Sequence, residues 1–404
     1  MIRIALVVHG FQNGGIERSI TRIVNGLDAQ RFEPVIICLD TTGPAADWLE
    51  RDVPVIEIGK RSGNDVLAVK RLADCLRQHQ IDLVQSHNWG TLVESVIARK
   101  LARTPVHIHA ERGTVAGMVE ASGLRYWCRA KVMSMALGSV DQVISNAHAV
   151  AERIESRCGF KAENIQIIPN GVPNPVNTDH AQNRQQIRSE LGLPTDAIVV
   201  GSAGRLVDVK GFDLAITAIQ QVLQSEPNVH LVILGDGPEE QRLNSIAGRC
   251  GISDHIHFVG RREDVPAWLD SFDIYLNSSR SEGMSQSVIE AMSVGLPIIA
   301  TDVGDNALLV QGSQFQCGLV CEPGSVESIA GQIVKLASDS GLRARCANSA
   351  RSCHRQFYSD ETFNRRISDL YIRLMGHHKG TTAPCDAQRL ADLSMQKRPQ
   401  QSEV

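Results

Sequence analysis

Short runs of aliphatic and β-branched residues alternate with amphipathic stretches over most of this 404-residue chain, and that order leaves few folds open. Runs at residues 2–9, 33–40, 53–58, 81–87, 106–111, 142–146 and 165–169 have strand length, and helical spacing lies between most of them. Between residues 17 and 27, for example, Ile20, Ile23, Val24 and Leu27 recur at three and four, the stripe of a helix laid on a sheet. Parallel strands need such crossovers, so the pattern predicts βα units and a parallel sheet. The alternation lapses once, at residues 169–184, PNGVPNPVNTDHAQNR, whose Pro, Asn and Gly read as a linker. It resumes with strands at 198–203, 229–234, 256–259, 274–277, 297–301 and 318–321, and a helix near 212–223. A helical region at 326–375, broken around Gly341 and Tyr358, precedes a polar tail. The expectation is an α/β chain of two doubly wound domains, 1–171 and 184–357. A linker at 172–183 joins them, a terminal helix covers 358–376, and a flexible tail follows at 377–404. Two such domains make a cleft, and ligands sit beyond the carboxyl ends of the strands.

Composition removes several alternatives. Hydrophobic residues at 43% and charged residues at 21% suit a folded chain with a sizeable core. A formal charge of -4 lacks the basic excess of a dedicated nucleic-acid binder, so no nucleic-acid partner is expected. The ten cysteines are scattered, and the nearest pair, Cys317 and Cys321, has no second pair beside it, which reads as free thiols in a reducing compartment. No apolar stretch reaches membrane-span length and no signal peptide is recognisable. A cytoplasmic location is expected, with association at the cytoplasmic face of a membrane left open.

Three strand-to-helix loops carry chemistry. GFQNGGIER places Gly14 and Gly15 before a helix, where backbone N–H groups favour phosphate; a purely structural turn reads equally well. It is not G-x-G-x-x-G, which removes the main support for a dinucleotide dehydrogenase. GRLVDVKGFD offers Arg205 and Lys210 from one strand end, a guanidinium fork and an ammonium that can clamp a diphosphate, or else two solvated surface cations. SRSEGMSQSVIEAMSVGLPIIAT puts Glu282 in the loop before a short helix with Ser285 as its N-cap and Glu290 inside it. A carboxylate on a helix that otherwise faces core needs donors, and sugar or ribose hydroxyls supply them.

With IIPNGV at the linker, LGDGP after residues 229–234 and FVGR at 258–261, these motifs resemble the large retaining glycosyltransferase family four, also described as glycosyl transferases group 1. The resemblance runs in motif order over roughly residues 1–375. It implies the GT-B architecture: an N-terminal Rossmann-like acceptor-binding domain, a C-terminal Rossmann-like nucleotide-sugar-binding domain, and a terminal helix that returns to the first. It implies that Arg205 and Lys210 neutralise the donor diphosphate and that Glu290 binds ribose hydroxyls. Glu282, with the backbone N–H groups of Gly283, Met284 and Ser285, would hold the transferred sugar and a phosphate. Arg261 would lie near the nucleobase, and Gly14 and Gly15 would admit the diphosphate. Arg205, Lys210 and Glu282 are thereby the catalytic candidates. The donor would be a UDP- or GDP-linked sugar and the acceptor a glycan or lipid-linked saccharide of cell-surface or exopolysaccharide biosynthesis. No metal and no other cofactor is implied, and the chain contains no D-x-D. A nucleotide-sugar epimerase of the same fold, or a nonenzymatic nucleotide-sugar-binding protein, are the alternatives.

The chain departs from the family pattern in two places. HIHAERGTVAG carries Arg112 before Gly113 where many members carry His, so the acceptor side is assigned to Arg112 first, to His109 only if the register shifts, since strand alternation points it elsewhere, and to His87, which reads equally well as a hydrogen-bonded structural histidine. TDVGDN has Asp305 where a second glycine is commoner, a change expected to bear on donor-sugar selection. RYWCRAKVMSMAL, with Arg125, Arg129, Lys131 and Trp127, reads as a core helix with a basic edge or as a surface in peripheral contact with a membrane.

Overall fold

The computed structural model describes residues 1–12, 14–113, 123–175, 180–312 and 314–378, which fall into two compact units. The first comprises Met1–Gly171 and the terminal helix, the second Val172–Ser359. The first runs β1 (Ile2–Val8), α1 (Gly15–Gly26), β2 (Phe32–Cys38), β3 (Val55–Glu57), α2 (Val66–Gln78), β4 (Leu83–His87) and α3 (Trp89–Ala102). It continues with β5 (Val106–Glu111), α4 (Gly123–Leu137), β6 (Gln142–Ser145), α5 (His148–Cys158) and β7 (Ile165–Ile167). The second begins α6 (His180–Glu190), β8 (Ile198–Ala203), α7 (Phe212–Val222), β9 (Val229–Leu234), α8 (Glu240–Arg249), β10 (Ile256–Phe258), α9 (Val265–Asp270) and β11 (Ile274–Asn277). It ends α10 (Gln286–Val294), β12 (Ile298–Thr301), α11 (Asn306–Gln311), β13 (Gly318–Cys321), α12 (Val326–Ser338) and α13 (Ser340–Cys353); α14 (Asp360–His378) then rejoins the first unit.

Both sheets are parallel throughout the described residues and wound the same way. Their orders are β3-β2-β1-β4-β5-β6-β7 and β10-β9-β8-β11-β12-β13. Each reverses direction once, between β1 and β4 and between β8 and β11, and such a switch point leaves a crevice at the carboxyl ends of the strands. The strands read as apolar runs because both faces are covered. In the first unit Ile4, Leu6, Val8, Ile108 and Ala110 meet α1 and α14, while Ala5, Val7, Ile37 and Val84 meet α2 and its neighbours. Helix α14 contributes Phe363, Ile367, Leu370, Tyr371 and Met375, one stripe at helical spacing. In the second unit Val200, Leu231, Ile233, Ile274 and Leu276 pack under α7, α8 and α12.

Two boundaries differ from the sequence expectation. Helix α6 starts at His180, inside the segment read as linker, because Arg184 and Arg188 anchor it to residues 271–273. Arg188 donates to the Ser271 and Ala197 carbonyls, each at 2.9 Å, and pairs with Asp273 at 2.6 Å. The break expected around Gly341 falls at Asp339, whose Oδ1 caps α13 through Leu342 N–H at 2.8 Å. Helix α14 continues through residues 377 and 378 of the expected tail; the rest of that tail, like residues 176–179 of the linker, lies outside the described residues.

Candidate functional site

The switch point of the second unit gathers most of the chemistry read from the sequence. Three loops at its strand ends are zipped by backbone bonds, from Leu206 N–H to the Asp236 carbonyl at 2.7 Å and from Gly235 N–H to the Gly260 carbonyl at 2.8 Å. This sets Arg205 and Arg261 on the loops that flank the one after β9, both exposed. Lys210 ends a short turn, and Gly211 follows at φ +63°, where any Cβ would collide with the Ser278 carbonyl oxygen. The close approach of these backbones brings the loop after β8 against the loop after β11.

There Lys210 Nζ meets Glu282 Oε1 at 2.6 Å, with side-chain exposures of 27% and 10%. Both ends are largely withdrawn from water, so the pair is screened far less than a surface ion pair. Ser279 Oγ donates to the same oxygen at 2.7 Å. The loop between β11 and α10 is gripped from the next strand: Asp305 N–H donates to the Gly283 carbonyl at 2.9 Å, and Thr301 Oγ1 to the Ser279 carbonyl at 2.6 Å. Gly304, at φ +57°, passes so close to the Glu282 and Gly283 carbonyls that a side chain has no room. Asp305 is buried here. Ser285 takes the N-cap position of α10 with its hydroxyl turned to Asn277 and Ser287. Met284 is buried, Gly283 and Glu290 are half-buried, and Gly295 closes the helix. Beneath the loop, burial foremost, with the carboxylates of Glu290 and Glu282 adding to it, pushes the Tyr275 phenol well above its usual range against a bond from Ser287. The site therefore joins an ammonium, a carboxylate and a helix N-terminus, groups that can hold a phosphate and hydroxyls side by side.

The first unit treats its predicted residues differently. Gly14 and Gly15 stand at the start of α1, with open space where a Cβ of Gly15 would point and the Glu17 carboxylate lying over Gly14. Burial raises the Glu17 carboxyl. His87 and His109, assigned from sequence to the acceptor side, are core residues at 2% and 0% exposure, and this corrects their placement in an accessible site. His87 Nδ1 donates to the Val7 carbonyl at 3.2 Å, and its Nε2 accepts from Gln85, whose own oxygen accepts from Tyr371. Burial above all, then Arg112, lowers His87 to about 3, a neutral ring with both nitrogens committed. The Ser86 hydroxyl bridges His107 and His109 at 2.8 and 2.9 Å on the other face of the sheet. Arg112 is half-buried beyond β5, bonded to Asn170 and set over the Phe363 ring at 5.6 Å. Burial lowers it to about 10, with Tyr371 opposing and Arg22 adding. Its backbone N–H donates to Asn88 Oδ1 at 3.1 Å, and Asn88 holds φ +59°, an uncommon conformation for a non-glycine residue.

Sequence reasoning passed over Asn277, Ser279 and Asn306 as partners of Glu282 and its loop. A polar residue closing the apolar strand IYLN, and another opening the helix after TDVGD, were the available signals.

Two doubly wound units in one chain, the second with a cation–carboxylate pair at a strand-end crevice, define a GT-B-type chain. The family model described as Glycosyltransferase Family 4 matches residues 13–174, and that described as Glycosyl transferases group 1 matches residues 183–352. The chain belongs to the glycosyltransferases of this type. It is 31% identical over 240 residues to the lipopolysaccharide core biosynthesis glycosyltransferase LpsE of Rhizobium meliloti, covering 59% of this chain and 64% of that protein. With the UDP-Gal:alpha-D-GlcNAc-diphosphoundecaprenol alpha-1,3-galactosyltransferase of Escherichia coli it shares 23% identity over 378 residues, 89% of this chain and 94% of that one. Among solved structures, Anabaena HepE in complex with UDP and glucose superposes at a TM-score of 0.75 and 21% identity, covering 92% of this chain and all of that one. A glycosyltransferase from Rickettsia africae superposes at 0.79 and 17% identity, over 93% and 98%. These two likenesses establish the fold.

Proposed function

We propose that the protein is a retaining glycosyltransferase that moves a sugar from a UDP- or GDP-linked donor to a glycan or lipid-linked saccharide in cell-surface or exopolysaccharide biosynthesis. The observation that carries this reading is the Lys210–Glu282 pair at 2.6 Å, held at the start of α10. In the reaction, the bond from the anomeric carbon to the donor phosphate oxygen breaks as the acceptor oxygen bonds on the same face, and the departing phosphate oxygen takes the acceptor proton. Negative charge grows on the diphosphate. Lys210, Arg205 and the N–H groups opening α10 supply preorganised positive potential there, so the reading calls for no metal. Glu282 and Glu290 accept bonds from sugar and ribose hydroxyls, and Arg261 stands at the base. In the first unit, taken by itself, Gly14 and Gly15 are read as a phosphate-binding turn and Arg112 as the acceptor-side residue. A thermal-shift series with UDP-glucose, UDP-galactose, UDP-N-acetylglucosamine and GDP-mannose tests the donor half, since a ligand of the folded state alone raises apparent stability. One of these raises the melting temperature by several degrees; no shift from any at millimolar concentration removes the donor reading.

A site at the cytoplasmic face of a membrane follows from a lipid-linked acceptor. It is supported by Leu124, Trp127 and Met135 on α4, exposed at 77%, 63% and 65% beside the exposed Arg125 and Lys131, and by Ile97 and Leu101 exposed on the neighbouring α3. No helix among the described residues is long and apolar enough to cross a membrane, whereas an amphipathic face with basic residues binds anionic headgroups. Wild type is expected to float with vesicles containing phosphatidylglycerol, and Arg125→Glu/Lys131→Glu to remain behind. Equal flotation of the two proteins, or none by wild type, rejects the contact.

A further inference from the structure

Behind Glu282 lies a layer of neutral amides that the proposed reaction does not use. Asn277 ends β11 at 5% exposure and Asn306 opens α11 at 0%. Asn277 Oδ1 accepts from Ser279 N–H at 3.3 Å and from Asn306 Nδ2 at 3.1 Å. Its Nδ2 donates to Ser285 Oγ at 3.0 Å and reaches Glu282 Oε1 at 3.5 Å. Asn306 Nδ2 also donates to the Thr301 carbonyl at 3.1 Å. One side chain thus touches the beginning, the middle and the end of the loop that carries Glu282. The arrangement also fixes which end of the Asn277 amide is oxygen, because two donors converge on one atom and a hydroxyl and a carboxylate face the other.

Burying two amides where an apolar residue could close a strand is expensive unless every polar atom is matched. Here the account does not balance: Asn306 Oδ1 is buried and has no hydrogen-bond partner. Loop anchoring alone gives no reason to keep that cost, since Thr301 and Asp305 already tie the loop to β12 and α11. What the amides add is a neutral donor aimed at a carboxylate and a hydroxyl together.

We propose that Asn277, backed by Asn306, is a positioning residue for transfer: it fixes the Glu282 carboxylate relative to Ser285 so that both meet the transferred sugar. The inference rests on the reading of this loop as the donor-sugar site. It also explains the choice of asparagine over aspartate, whose ionised form would accept where a donor is required and would set a second negative charge against Glu282.

The test is the pH dependence of Asn277→Asp. A protonated aspartic acid carries one O–H where the amide carries two N–H, so at low pH the variant again donates to Glu282 while Ser285 can turn its own hydroxyl to the same oxygen, and it loses that donor as the carboxyl ionises. Burial and the neighbouring Glu282 raise that carboxyl, which brings its titration into the assay range. Release of UDP from UDP-glucose, or of GDP from GDP-mannose, is followed between about pH 5 and pH 9 in wild type, Asn277→Asp, Asn277→Ala and Lys210→Ala, with a melting curve at each pH. The expected result is a kcat for Asn277→Asp near wild type at the acid end and about 10- to 100-fold lower at the alkaline end, the scale of a misplaced reacting group. Donor KM changes far less, and Asn277→Ala is impaired equally at every pH. An Asn277→Asp profile parallel to wild type, one parallel to Asn277→Ala, or a deficit that only follows loss of folded protein overturns the inference. If that variant does not fold, Asn306→Asp asks the same question one residue further back, because only its protonated form can donate to Asn277, and a flat profile there is equally fatal. Full turnover by Lys210→Ala instead removes the donor-site reading itself, whereas loss of turnover in Lys210→Ala beside a pH-parallel Asn277→Asp overturns the positioning role alone.

Discussion

Replacing Lys210 by alanine is expected to lower turnover by about 10²–10³-fold, the loss typical of removing one preorganised group that faces developing charge. Two effects add. The donor diphosphate loses an ammonium as the leaving group departs, and Glu282, only 10% exposed at its side chain, loses the cation paired with it at 2.6 Å. Glu282→Ala fails for the complementary reason, since the sugar hydroxyls lose their acceptor and Lys210 swings free. Neither residue belongs to an apolar core cluster, so both variants should keep the wild-type circular dichroism spectrum. The measurement is nucleoside diphosphate release under saturating donor. A rate within about threefold of wild type in either variant, less than 1 kcal/mol on the barrier, refutes the site assignment.

The second large effect concerns stability. Arg188 is 9% exposed and makes three bonds that tie α6 to the second sheet: to the Ser271 and Ala197 carbonyls and to Asp273. Asp273 in turn accepts from Val199 N–H at 2.7 Å, so a single carboxylate joins α6, β8 and the turn before β11. Burial lowers the Arg188 guanidinium and Asp273 holds it charged, a balance that fails when one partner is removed. Arg188→Ala should cost about 3–5 kcal/mol, the usual loss when a buried pair is broken from one side. Because the chain has two units, a single melting temperature is a poor gauge. Hydrogen exchange resolves them: amides of β8 and β11 should exchange at least about 100-fold faster while those of β1 and β4 keep their protection. A change below about 1 kcal/mol at β8, on the scale of an exposed ion pair, contradicts the assignment.

Arg188 also shows where sequence reading stops. The strands were legible because a strand covered on both faces must be apolar along its whole length, and Ile198–Ala203 and Ile274–Asn277 declare themselves that way. The start of α6 was not, since residues 180–183 sit in a Pro- and Asn-dense segment and the force that makes them helical comes from partners nearly ninety positions away. Glu282, Lys210 and Arg205 were legible as motif members, but their contacts were not. That Lys210 and Glu282 touch depends on Gly211 letting two backbones meet. His87 was left between a cleft and a structural role because polarity at a strand end looks the same whether the ring faces solvent or a Gln85–Tyr371 chain, and its burial selects the second. Asn277 looked like the stop of a strand, and only the converging bonds on its amide reveal its geometry.

Among the described residues the second unit is one unbroken stretch, Val172–Ser359, whereas the first is completed by α14. On the ribosome the usual order, in which the amino-terminal domain is finished first, is therefore reversed. When Ser359 emerges, the later-made unit already has all of its strands, while the earlier one still shows Ile4, Leu6, Ile23 and Phe32 on a face that Phe363, Ile367 and Tyr371 will cover. Through the synthesis of nearly half the protein that apolar face waits for its cover, and a chain cut before Asp360 is expected to keep it open to aggregation.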